Sequence, residues 1–149
     1  MPHLVIIAHA PLASAMRAVA AHIDPVAADR IEICDVRAEQ SLDDAVRDGQ
    51  HVLAAIGPAD VLILTDAFGA TPSNAAQRLC NRPGIRVVSG LNVPMLWRAL
   101  GHLCEPIDKL AELARAGGQQ GVMLVTPARP QQQINKPDGH DSKHDHHQQ

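Results

Sequence analysis

Tyrosine is absent from this chain, and Phe68 and Trp97 are its only aromatic residues. A protein that stacks nucleic-acid bases needs more aromatic faces than that. Basic residues are also in short supply, with Lys+Arg 13 against Asp+Glu 16 and a formal net charge of −3. No basic cluster stands out, so the phosphate neutralisation that drives nucleic-acid binding has no basis here. The three cysteines, Cys34, Cys80 and Cys104, are odd in number and widely spaced. That pattern argues against a disulfide scaffold or a zinc knuckle and fits a reducing compartment. No apolar run approaches the roughly 18 residues that a membrane helix requires. Leu4 to Ala8 is apolar and Ala13-Ser14-Ala15 has the look of a cleavage site, but no Lys or Arg precedes the run and His9 interrupts it. The expectation is a cytoplasmic protein without direct membrane insertion. What the chain does have is 149 residues of 46% hydrophobic content, enough for one domain with a real core.

Short apolar runs alternate with helical patterns, the mark of a parallel sheet covered on both faces. Leu4 to Ile7 reads as a first strand, followed by a helix that Pro11 starts and that carries Leu12, Ala15, Met16, Val19 and Ile23 on one face. Ile31 to Val36 is a second strand. Ser41 is a good N-cap for a second helix, with Leu42, Ala45, Val46, Val52, Leu53 and Ile56 at helical spacing and Gly57-Pro58 as its stop. Val61 to Leu64 is the third strand, running into Thr65-Asp66. A glycine-containing loop then leads to a helix with Thr71 as cap and Pro72 in its first turn. Arg86 to Val88 anchors a fourth strand ending at Gly90. Helix resumes near Pro94, breaks around Pro106 and stops at Gly117-Gly118, leaving Val122 to Val125 as a last strand. From Pro127 to Gln149 the composition turns to Pro, Gln, Asp and His, with Ile134 the only large apolar residue. Such a tail buries too little to offset its ordering entropy, so residues 1–126 are expected to fold and 127–149 to be disordered.

In open parallel sheets, chemistry gathers beyond the carboxyl ends of the strands, where strand order reverses. Three segments reach that edge with special residues: Ala8 to Pro11, Asp66 to Asn74, and Gly90 to Leu96. With helices on both faces, the first and third strands would be neighbours and His9 would face Asp66. An imidazole titrates near pH 6.5 and is available as a nucleophile at neutral pH. A carboxylate accepting from Nδ1–H fixes the tautomer, leaves the Nε2 lone pair free and stabilises the charge that grows on the ring. Position alone is equally compatible with a core histidine beside an ordinary loop aspartate. The loop adds weight to the chemical reading. Gly69 permits a positive φ and close backbone approach to a ligand, and Thr71, Pro72 and Ser73 put a helix N-terminus beside it, suited to an anion. Phosphoryl transfer needs mainly such positioning and charge stabilisation.

Taken together, these segments resemble the IIA component of the mannose family of the bacterial phosphoenolpyruvate:sugar phosphotransferase system. That family's pattern is a histidine closing the first strand, then Asp-x-x-Gly-(small)-(Ser/Thr)-Pro-x-Asn, then Gly-x-Asn-x-Pro-Met-Leu. Here the matching residues are His9; Asp66, Gly69, Ala70, Thr71, Pro72 and Asn74; and Gly90, Asn92, Pro94, Met95 and Leu96. The resemblance implies an α/β fold, an open and mostly parallel doubly wound sheet of order 2-1-3-4 with a C-terminal edge strand, in a single domain. Val122 to Val125 is the candidate edge strand, through which such proteins form homodimers. It also implies that His9 is phosphorylated by HPr, with Asp66 as its orienting partner and Gly69, Ala70, Thr71, Ser73, Phe68 and Asn92 as candidates for phosphate or partner binding. The next acceptor would be a IIB protein, with a membrane IIC/IID pair downstream in a sugar-transporting system. No cofactor or metal is called for.

Two features depart from the pattern. Many members have glycine after the histidine, whereas Ala10-Pro11 here stiffens the loop and alters the surface offered to a partner. After residue 126 comes the tail rather than a IIB domain, which keeps open a regulatory switch whose effector binding follows the phosphorylation state of His9. A receiver-type domain shares the sheet, but it needs an acidic pocket after the first strand, where this chain has His9-Ala10. The phosphocarrier subunit of dihydroxyacetone kinase fits Thr71 to Asn74 less well. Asp35, near the end of the second strand, is an alternative partner for His9 on the wrong side of the switch point. His140, His144, His146 and His147, interleaved with Asp138, Asp141 and Asp145, could bind a transition metal but read more simply as solvated.

Overall fold

The strands are the most strongly determined part of the chain. β1 (His3–His9), β2 (Ile31–Val36), β3 (Val61–Thr65) and β4 (Ile85–Ser89) are all rich in Val, Ile and Leu, and the two central ones are buried on both faces. In the computed structural model, which describes residues 1–128, they form one parallel sheet of order β2-β1-β3-β4. β1 pairs with β2 through Leu4↔Ile31 to His9↔Val36 and with β3 through His3↔Val61 to Ile7↔Thr65. The chain thus moves outward from β1 to β2 and then crosses back to β3, so the strand order reverses between β1 and β3.

Alternate residues of each strand feed two separate cores. Leu4, Ile6, Ala8, Leu62 and Leu64 pack against α1 (Leu12–Ile23), the short α2 (Pro25–Ala28), α5 (Val93–Leu100) and α6 (Ile107–Gln120). Val5, Ile7, Val61 and Ile63 pack on the other face against α3 (Leu42–Ile56) and α4 (Thr71–Leu79). This is the expected doubly wound arrangement. Ser41 caps α3 as anticipated, in a reciprocal capping box with Asp44.

Several boundaries differ from expectation. The cap of α4 is Ala70, in extended conformation, and Thr71 is already helical, so the threonine side chain does not close the helix. Gly117-Gly118 does not end α6, which runs on to Gln120. The reason is packing: a Cβ on Gly117 would meet the Cβ of Arg98, and the Gly118 carbonyl accepts a hydrogen bond from Asn92 Nδ2 at 2.9 Å. The glycines let α6 lie close against α5 instead of stopping it. The edge strand at Val122 to Val125 is not formed within the single chain. α6 is capped by Gly121 beside Pro94, and the segment runs on without pairing to any strand of its own chain, its residues 69–94% exposed. The tail from residue 127, expected to be disordered, and its histidines fall, apart from residues 127 and 128, outside the described residues.

Candidate phosphoryl-acceptor site

His9 is the last residue of β1 and Asp66 the first after β3, so the adjacency of those two strands brings them together at the switch point. His9 Nδ1 lies 2.7 Å from Asp66 Oδ2, and the same oxygen accepts from the His9 backbone N–H at 2.9 Å. The other carboxylate oxygen accepts from Ala67 N–H at 2.9 Å. Burial pushes the Asp66 carboxyl toward neutrality, but the His9 N–H, its ring and the Ala67 N–H outweigh it and hold the pKa below the usual value. The carboxylate is therefore ionised near neutral pH and can only accept, which assigns the proton to Nδ1 and the lone pair to Nε2. The two side chains differ in exposure as this requires, 51% for His9 and 14% for Asp66. The ring is anchored at one nitrogen, and its side chain stays open to solvent.

The loop that carries Asp66 is braced on both sides. Gly90 N–H donates to the Asp66 carbonyl at 3.1 Å and Leu91 N–H to that of Thr65 at 2.9 Å, tying it to the loop after β4. Gly69 has φ 85° and Gly90 φ 91°, conformations that side chains resist, and each lies where the chain turns back toward the site. Asn74 Nδ2 donates to the Gly69 carbonyl at 3.2 Å, closing the loop onto the first turn of α4. Ala70 caps α4; Thr71 is half-buried, and Ser73 is buried under that turn. Phe68 is 80% exposed and overhangs a groove of about 400 Å³ shared with Ser73, Gln77 and Ser89. Asn92 has a different occupation: its Oδ1 accepts from Met95 N–H and its Nδ2 donates to Gly118, so its side chain caps α5 and bridges to α6.

Three features around the site take roles that the sequence did not indicate. Val36 carbonyl accepts from Ala10 N–H at 2.8 Å, pinning the loop just after His9. Asp35 does not reach His9; its carboxylate accepts from the backbone and hydroxyl of Ser14 in α1. The hydroxyls of Thr65 and Ser89, in register at the ends of β3 and β4, are buried without a protein partner. Pro11 at the start of α1 was a signal for the second of these, because it offers no side-chain cap and leaves that task to a neighbour. Among the described residues no group of three or more His, Cys, Asp or Glu side chains is arranged to hold a metal ion, and no helix is long and apolar enough to cross a membrane.

A model of the EIIA-man family, described as "PTS system fructose IIA component", matches residues 3–111. None of the curated proteins compared with the chain matches it. Among solved structures, the mannose/sorbose specific IIA subunit of the phosphotransferase system from Enterococcus faecalis is similar at 29% identity and a TM-score of 0.81, over 87% of this chain and 98% of that one. Phosphotransferase system component EIIA from Streptococcus agalactiae is similar at 26% identity and a TM-score of 0.73, over 83% of this chain and 96% of that one. A PTS IIA protein associated with the fucose utilization operon of Streptococcus pneumoniae, at 17% identity and a TM-score of 0.64 over 83% of this chain and 92% of that one, shares the fold.

Proposed function

The chain belongs to the EIIA-man family of phosphotransferase-system IIA components, and from that premise we propose that it is a cytoplasmic phosphocarrier that accepts a phosphoryl group from HPr on His9 Nε2 and passes it to a IIB-type protein. The observation that carries this reading is the 2.7 Å contact between His9 Nδ1 and Asp66, which leaves Nε2 as the nucleophile. In the transfer, the Nε2 lone pair forms the new N–P bond while the bond from phosphorus to the donor's imidazole breaks. Its electrons return to the donor ring. The Nδ1–H stays in place, so the ring of His9 becomes cationic and Asp66 stabilises it.

The N–H groups of Thr71 and Ser73, which lie before Asn74 N–H, the first to donate back along α4, together with the Gly69 N–H, offer donors and a positive helix end to the incoming phosphoryl oxygens. Phe68 and the His9 loop form the surface on which the donor rests. The unpaired edge of β4 and the exposed apolar Val122 to Val125 support a homodimer, each segment completing the other protomer's sheet.

The test is intact mass after incubation with phosphoenolpyruvate, enzyme I and HPr. The expected result is a gain of about 80 Da, one acid-labile phosphoryl group, in wild type and none in His9→Ala. No gain in wild type, with the donor demonstrably charged, would refute the phosphocarrier reading. In the same assay Phe68→Ala should need more HPr for half-maximal transfer; unchanged kinetics would remove Phe68 from the docking surface.

A further inference from the structure

α1 begins in an unusual way. Its N-cap is Pro11, which has no side chain able to accept from the first-turn N–H groups. The missing acceptor comes from the neighbouring strand. Asp35, in β2, takes the Ser14 N–H on Oδ1 at 3.2 Å and the Ser14 hydroxyl on Oδ2. Ser14 Oγ also lies 3.2 Å from the Pro11 carbonyl, which Ala15 N–H reaches at 3.0 Å. Asp35 stands beside Ala8 in the sheet register, on the same face as Ile33 and therefore facing α1. One residue on, Val36 holds Ala10 N–H.

The connection from His9 to Ser14 is thus fixed from both flanks. β3's Asp66 grips His9 itself, while β2 grips Ala10 through Val36 and Ser14 through Asp35. Between the two β2 anchors lies Pro11, whose carbonyl is in turn held by the first turn of α1. We propose that Asp35 is a positioning residue for phosphoryl transfer: by supplying the cap that Pro11 cannot, it fixes the first turn of α1 and, through Pro11 and Ala10, the placement of the His9 ring. It touches neither the ring nor the phosphoryl group. A carboxylate beside a helix N-terminus is also favourably placed for the helix dipole, so the anchor is charge-assisted. Small misplacements of a reacting group cost large factors in rate, which is why a cap can matter to transfer as well as to folding.

This inference rests on the phosphocarrier reading, and the experiment separates the two. Single-turnover transfer from phosphorylated HPr would be measured across HPr concentrations for wild type, Asp35→Ala, Asp35→Asn, Ser14→Ala and the double alanine variant, with a melting curve for each. Wild type that takes up no phosphoryl group would sink the parent reading. Given an active wild type, Asp35→Ala should slow transfer at saturating HPr by about tenfold or more, with the half-saturating concentration little changed. Asp35→Asn, whose amide oxygen still accepts the Ser14 N–H, should recover most of the rate. Ser14→Ala keeps its backbone N–H and should fall between them, and the double variant should be no slower than Asp35→Ala because both remove one connection. Asp35→Ala transferring at the wild-type rate, or Asp35→Asn slowed as much as Asp35→Ala, would overturn the proposal. Should Asp35→Ala fail to fold, Ser14→Ala and Asp35→Asn carry the comparison, and wild-type rate in the first with a slowed second would overturn it.

Discussion

At the scale of single residues, Asp66 has the most demanding task. Its two oxygens accept three N–H groups, two of them from His9. Asp66→Asn keeps an acceptor oxygen but loses the charge that orders and stabilises the ring. Transfer to His9 should fall by about 100-fold or more, read by single-turnover kinetics, and a loss under threefold would show that the charge is unimportant. The same hydrogen bonds lower the Asp66 pKa in the folded protein, so the unfolded chain binds its proton more readily. The resulting stability is fully present above the unfolded carboxyl value of 3.8 and is lost as pH falls through the depressed native value. The melting-temperature gap between wild type and Asp66→Asn should therefore be constant near neutrality and close at the acid end. His9 and Asp66 were legible because both sit where strands end. Asp35 was legible only as a wrong partner for His9, since nothing in the order of residues says that a strand carboxylate reaches a helix start.

At the scale of elements, what the sequence made plain was continuous apolar strands and well-signposted helix starts. Leu4 to Ile7 and Val61 to Leu64 are unbroken runs, and Ser41 with Asp44 is a complete capping box. α2 spans only Pro25–Ala28, too short for any periodicity to register. Gly117-Gly118 misled because glycine is read as a helix stop unless the neighbouring helix is known. Its real role gives a prediction with an inverted sign. Glycine to alanine inside a helix ordinarily stabilises by about 1 kcal/mol. At Gly117 the new Cβ would press on Arg98 Cβ and Cγ, atoms close to the backbone of α5. Gly117→Ala should therefore destabilise by about 1–3 kcal/mol in denaturant unfolding, and a stabilised variant would mean that α6 does not lie so close to α5.

At the scale of the whole molecule, the parallel order β2-β1-β3-β4 explains why His9 and Asp66 come together. All four strands point their carboxyl ends the same way, so the loops after β1, β3 and β4 meet on one edge, and His9 and Asp66 meet there, where the strand order reverses between β1 and β3. The same order leaves β4 with one free edge, and the chain continues past α6 into four exposed apolar residues. Whether Val122 to Val125 forms a strand was not decidable from its own residues, because a strand exists only with a partner to pair with. On the homodimer reading, a chain truncated after Gly121 should elute as a monomer where the full chain elutes as a dimer. Equal masses by light scattering would remove this segment from the interface.

The central claim is that Asp66 holds Nδ1 and so directs phosphorylation to Nε2 of His9. The most direct measurement is ¹⁵N and ³¹P NMR of the protein charged by HPr, with histidine nitrogens labelled. The geometry predicts a single phosphohistidine, at position 9, with phosphorus bonded to Nε2 and the proton retained on Nδ1. Phosphorus on Nδ1, or on another histidine, would contradict it.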